Sequence, residues 1–239
     1  MSLVVSYLPT AQPRAKNTPK PGTPKAAADD VPFQLKMVNQ SAQPWVFYVY
    51  QSLPPAASAD WFSLAWFASP FKIQVGNQIA FRWQVTYDFV WSASGKLIPG
   101  VTFDAGGGQS ADPDGNNNTT FSDDPDSGPG LSAPQPGDPS GTLLIKDART
   151  VPNNTFSVGI GMSGTGTHAV QAGTNLTHAF TPTPTYFVAA GSGLIQLGTV
   201  LSIETITQNA EARFPPAVKN LIATLGQDNT WTVAPDPNP

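Results

Sequence analysis

The chain has no cysteine. Disulfides, thiolate zinc sites and cysteine nucleophiles are therefore excluded. Glutamate is almost missing: of sixteen acidic residues only Glu204 and Glu211 are Glu, and the rest are Asp. Glu suits helix interiors and Asp suits caps and turns, so this bias argues against helix. Charge is scarce at 12% of residues, about half the usual share. No apolar run approaches the roughly 20 residues of a membrane span. The opening MSLVVSYLPTAQPRA lacks a positive n-region, and its apolar run is too short for a secretory core. Together with the missing cysteine this reads as cytoplasmic rather than secreted. The net charge is −4 and no basic stripe occurs, so nucleic acid is not an expected partner.

What is abundant points to β structure. There are 25 Pro, 21 Gly and 13 Phe; Pro and Gly break helices and supply turns. From Ile79 every second residue is large and apolar: Ile79, Phe81, Trp83, Val85, Tyr87, Phe89 and Trp91. A period of two puts these side chains on one face of a strand. Such a strand would run over about 40 Å, so it is expected to be bent, bulged or shared between two sheets. Its odd-numbered aromatics should wall a core. Its even face carries Arg82 and Asp88, which need partners if buried. WVFYVYQSL (45–53) is apolar on both faces, as a strand between two layers would be.

The predicted fold is all-β: a two-layer antiparallel β-sandwich with Greek-key-like connections, with a β-barrel as the alternative. One short helix is expected near 215–225, where Pro215-Pro216 precede Val218, Leu221, Ile222 and Leu225 and Gly226 follows. Three parts are expected. Residues 1–30 form a β-prone arm (2–8) and a Pro/Lys-rich linker. Residues 31–235 form a single sandwich domain with a long Asp/Gly/Pro/Asn loop at 104–141. Residues 236–239 form a polar tail.

Chemistry is harder to find. Asp112, Asp114, Asn116, Asn118 and Asp123 carry oxygens at offsets like those of a calcium loop. The glycine of the sharp turn and the final bidentate Glu are missing, and the same residue types make ordinary turns. Gly159, Gly161 and Gly164 spell GxGxxG, but TGTHAVQAGT follows where a dinucleotide site needs a helix. Glycines beside close-packed strands are the better account. His168 and His178 could face each other if 167–180 is a hairpin, although no neighbouring carboxylate joins them to make a metal site. Asp60, Trp61 and Trp66 offer a sugar-binding reading, in which aromatic planes stack on the ligand and oxygens hold its hydroxyls. Large aromatics are more often core.

No catalytic set can be nominated, so a non-enzymatic protein is the preferred reading. Leu3, Val4, Val5, Tyr7 and Leu8 lie ahead of the Pro-rich tether. That arrangement suits strand exchange between copies and a homo-oligomer. The alternative is a lectin-like module that binds a glycan, with Ca²⁺ as the candidate cofactor.

Overall fold

A computed structural model describes residues 31–54, 57, 60–191, 193, 195–202 and 208–238, and the backbone of 4–7. The described residues contain no helix. The long alternating segment divides into two strands that belong to different sheets. Gln78–Trp83 (β6) and Tyr87–Ser92 (β7) are separated by Gln84–Thr86. Strands are numbered in chain order.

β6 lies between β1 (Val4–Tyr7) and β2 (Phe33–Asn39), and the sheet continues through β17 (Asn220–Leu225) to β18 (Trp231–Pro235). Facing it is a sheet of β16 (Asn209–Glu211), β15 (Tyr186–Gly191), β3 (Val46–Gln51) and β5 (Phe67–Ala68). Leu35, Phe81 and Leu221 from the first sheet and Phe47, Phe67 and Val188 from the second share one core with Trp45, Trp66 and Trp83. This is the first sandwich. β3 is buried along its whole length, as its two apolar faces predict. Phe47 and Val49 enter the main core, and Tyr48 and Tyr50 pack on the other side with Ala65 and Leu201.

β7 belongs to the second sandwich. Its sheet runs β4 (Trp61–Ser63), β13 (Thr165–Gln171), β12 (Ser157–Met162), β7 and β8 (Ala105–Ala111). The opposing sheet is β10 (Gly128–Leu131), β9 (Asn118–Asp124), β11 (Leu143–Asp147) and β14 (Thr177–Phe180). Phe89, Val158, Ile160 and Val170 meet Phe121, Leu143, Ile145 and Phe180 between them. The four sheets stay open, so the sandwich holds and the barrel alternative does not. Pairing is mostly antiparallel, with parallel ladders at β1/β6, β2/β17 and β9/β11.

The strand breaks at Gln84–Thr86 because a hairpin tip holds it there. β12 and β13 are joined by Ser163 and Gly164, both at positive φ (52° and 79°), the geometry of a type I′ turn. Ser163 Oγ accepts from Gln84 N–H at 2.9 Å and donates to Gln84 O at 2.7 Å. Gly164 N–H donates to Asp88 Oδ2 at 2.9 Å. Burial pushes the Asp88 carboxyl above its ordinary range, partly offset by that N–H. Arg82 Nε donates to Gln34 Oε1 at 2.6 Å. The even-face charges are therefore engaged in holding strands.

Of the GxGxxG glycines, Gly159 and Gly161 are packing residues and Gly164 serves the turn. A Cβ at Gly159 would fall 2.0 Å from the His168 carbonyl oxygen of the neighbouring strand.

Two expectations are corrected. Residues 220–225 are strand, not helix. Leu221, Ala223 and Leu225 are buried at period two, and the segment is hydrogen-bonded between β2 and β18. The apolar spacing also fitted one helical face, but a central strand satisfies the backbone on both edges. Residues 104–141 are not one long loop, because β8, β9 and β10 lie within them. Polar and glycine-rich composition concealed these strands. Gly106 and Gly107 are required where the Trp91 indole lies on β8: added Cβ atoms would stand 2.7 and 2.9 Å from it. In the polar tail, buried Asp236 forms an ion pair with Lys36.

Candidate functional site

The second sandwich is open where its two sheets end in β4 and β14. A cleft of about 810 Å³ lies there, lined by Asp60, by Trp61 and Phe62 of β4 and by Thr177–Ala179 of β14. Asn153 and Asn154, from the turn before β12, and Lys96, beyond β7, complete its polar wall. Strand alternation positions the β14 side chains: Thr177 and Ala179 are exposed, and His178 and Phe180 turn inward. Trp61 is half-buried, with its ring centroid 4.4 Å from that of Phe180. Gln171 braces the wall. It accepts from Leu97 N–H at 2.6 Å and donates to Phe156 O at 2.6 Å. Among the described residues, no hydrogen bond or ion pair engages the side chains of Asp60, Lys96 or Asn154.

Behind the cleft is a buried pair. His178 Nε2 donates to Asp147 Oδ2 at 2.9 Å, with side-chain exposures of 8% and 0%. The same oxygen accepts from Gly173 N–H at 2.8 Å. Asp147 Oδ1 is buried without a hydrogen-bond partner. A carboxylate oxygen that accepts from the ring requires the proton on Nε2, and in the neutral imidazole the lone pair is then on Nδ1. Chemically the arrangement offers a fixed acceptor beside an aromatic surface and several free polar groups.

The other histidine has a different environment. His168 is on β13 and His178 on β14, in separate sheets, so the expected hairpin between them does not form. His168 Nε2 lies 3.1 Å from Ser52 O and its Nδ1 is buried without a partner. Burial lowers its pKa to about 4, opposed by hydrogen bonding to the Ser52 and Gln51 backbones. It lies at the seam of the two sandwiches. Trp66 Nε1 also crosses this seam, donating to Met162 O at 2.9 Å.

The sugar-site residues separate accordingly. Asp60 and Trp61 line the cleft. Trp66 does not: it is fully buried, 4.2 Å from Phe67 and 5.2 Å from Trp83 between ring centroids. Its place in the first core corrects the expectation of ligand contact. The calcium residues do not converge either. Asp112, Asp114 and Asn116 share the β8–β9 turn, where Asp112 Oδ1 accepts from Asp114 N–H at 3.0 Å. Asn118 and Asp123 lie five positions apart along β9, roughly 17 Å at strand rise. Among the described residues no group of three or more His, Asp or Glu side chains could hold a metal ion. Of the arm, Val4, Val5 and Tyr7 lie in β1, whereas Leu3 and Leu8 lie outside the described residues.

The sequence left clues to the missed pair. Asp147 occupies the inward phase set by Leu143 and Ile145, and His178 the inward phase of Phe180. A polar residue in core phase is such a signal. Lys96, Asn153 and Asn154 leave none, because only the packing of distant segments gathers them.

A family profile described as RhiA matches residues 30–236. The chain is 56% identical over 235 residues to Protein RhiA of Rhizobium leguminosarum bv. viciae, covering 98% of this chain and 100% of that protein. No solved structure matches the chain. Among the described residues, no helix is long and apolar enough to cross a membrane.

Proposed function

The chain belongs to the RhiA family, and we propose that it is a saccharide-binding β-sandwich protein whose ligand enters the cleft between β4 and β14. The observation carrying this reading is the company of Trp61. A half-exposed indole stands beside Asp60, Lys96 and Asn154, whose polar groups have no partner among the described residues. An aromatic face can cover the C–H surface of a sugar ring while such groups bind its hydroxyls. A glycan array probed with the full chain, with and without calcium, tests the reading. Binding that Trp61→Ala removes is expected. No glycan retained in either condition would end it.

A second reading, homo-oligomerisation by strand exchange, rests on β1. β1 pairs in parallel with the edge of β6, from Val4 opposite Gln78 to Tyr7 opposite Phe81. Phe33 stands opposite Trp83 on the other side of β6. The return to β2 thus spans two strand spacings, roughly 10 Å. Residues 8–32 could cover roughly 80 Å when extended. A tether of that length can deliver the same strand to the equivalent edge of a second copy. Removing residues 1–30 should then lower the mass measured by light scattering while the body stays folded. An unchanged mass would sink this reading.

A further inference from the structure

We propose that His178 is the residue that reads a donated hydroxyl of the bound saccharide, and that buried Asp147 is the positioning residue that fixes its tautomer. The proposal rests on the saccharide reading of the cleft and adds the atom that selects the ligand.

Strand alternation asks for apolar side chains at these two positions, as Leu143, Ile145 and Phe180 supply. A buried carboxylate and imidazole at the same layer lose hydration that a well-packed apolar pair would not. The carboxylate is also incompletely satisfied, because Oδ1 has no hydrogen-bond partner. Packing alone does not explain such a pair. Its effect is directional: Asp147 favours the proton on Nε2, and in the neutral ring Nδ1 is then the acceptor.

The comparison with His168 separates this role from a structural one. His168 Nδ1 is sealed in the interior without a partner. His178 lines the cleft, and its Nδ1 is not among the sealed atoms. Among the described residues nothing hydrogen-bonds that nitrogen. Trp61 and His178 flank Phe180 on the same inward layer, Trp61 by ring contact and His178 by strand phase. A ring stacked on Trp61 would present its edge hydroxyls to the cleft wall. Sites that bond a ligand hydroxyl reject analogues lacking it, because the protein group is left unpaired.

The chain has two histidines, so nitrogen NMR of the ¹⁵N-histidine-labelled full chain resolves both rings. Cello-, malto-, manno- and chitotriose serve as probes. Without sugar, the His178 ring should show a protonated Nε2 and a pyridine-like Nδ1. A binding triose should move the Nδ1 resonance toward that of a hydrogen-bonded acceptor and leave His168 in place. His178→Gln keeps an N–H for Asp147 but removes Nδ1, and it should weaken binding about tenfold.

A proton found on Nδ1 in the free protein would overturn the proposal. So would a triose that binds and is weakened by Trp61→Ala while Nδ1 stays still and His178→Gln binds equally well. That outcome leaves the saccharide reading intact. If none of the four trioses binds, a glycan retained on the array replaces them as the probe, and an empty array ends both readings. The tautomer measurement uses the wild-type chain, so it does not depend on whether the variant folds.

Discussion

The two sandwiches place most of their tryptophans differently. In the first, Trp45, Trp66 and Trp83 are buried in one core with Phe47, Phe67 and Phe81, and Trp231 packs half-buried at its margin. In the second, Trp61 and Trp91 are only half-buried and pack against the margin of a core of Phe, Val, Leu and Ile. The first sandwich also buries polar groups, among them Asn39, Ser41 and the Asp236 that pairs with Lys36. The second has a buried His–Asp pair behind an open cleft. Similar strand alternation thus yields a scaffold in one case and an accessible site in the other. What differs is where each tryptophan stands relative to a sheet edge. Trp66 is covered on every side, and Trp61 stands on edge strand β4, where the facing sheet ends in β14.

The largest expected effect tests that division. Trp66→Ala should cost about 3–5 kcal/mol of unfolding free energy in a urea titration, as large-aromatic truncations in cores do. It also leaves Met162 O without the indole N–H. Trp61→Ala should cost roughly 1 kcal/mol, because less of that ring leaves water on folding. Saccharide binding should respond in the reverse order, lost in Trp61→Ala and retained by folded Trp66→Ala. Equal costs for the two changes would break the distinction between scaffold and site.

The seam gives the next effect through pH. His168 is neutral in the folded chain, its pKa lowered from 6.5 to about 4 by burial. The unfolded chain takes up a proton below 6.5. The neutral ring therefore contributes in full above about 6.5, and its contribution falls as pH drops. Below about 4 both states are protonated and the loss is complete. The integrated loss is about 3 kcal/mol. Urea titrations from pH 7 to 4 should show this slope. His168→Gln should flatten it, and an unchanged slope would place the titrating group elsewhere.

These effects also mark what the sequence could disclose. The alternation from Ile79 to Trp91 was legible because each residue reports its own face. The break at Gln84–Thr86 was not, because it depends on Ser163, 79 positions away. β17 was misread because Leu221, Ile222 and Leu225 fit one helical face as well as a strand core. Only its two neighbouring strands decide the matter. In the cleft, Asp60 and Trp61 were readable only together with Trp66, because one aromatic segment does not report which of its rings is exposed. His178 and Asp147 are 31 positions apart, and their meeting depends on β11 pairing with β14. Local patterns disclose faces, whereas sites assembled across sheets require the topology.

A smaller effect sharpens the account of the second core. Asp147→Ala leaves His178 Nε2–H and Gly173 N–H without their shared acceptor. Loss of a buried acceptor should cost about 2 kcal/mol. Nitrogen NMR should show that the His178 ring no longer holds one tautomer. If stability falls and the tautomer is unchanged, Asp147 supports the sheet and does not position the imidazole.

The smallest effect compares one turn from each sandwich. In the first, Val218 N–H donates to Pro215 O at 3.0 Å, and Ala217 is held at φ 64°. This is the third position of a type II turn, which glycine or asparagine normally fills. A Cβ in the left-handed region costs about 1 kcal/mol, and alanine has no side-chain group to hydrogen-bond in return. In the second, Asn154 lines the cleft at φ 60°, and asparagine tolerates that region. Ala217→Gly removes the strain but increases the freedom of the unfolded chain, leaving a net gain of about 0.5 kcal/mol. Asn154→Gly has little strain to remove and should lower stability by a few tenths of a kcal/mol. Opposite signs in paired urea titrations would show that the scaffold turn is strained and the cleft turn is fitted to its conformation. A gain from both changes would mean that Asn154 is also strained, and its place in the cleft wall would then have been kept at a cost to stability.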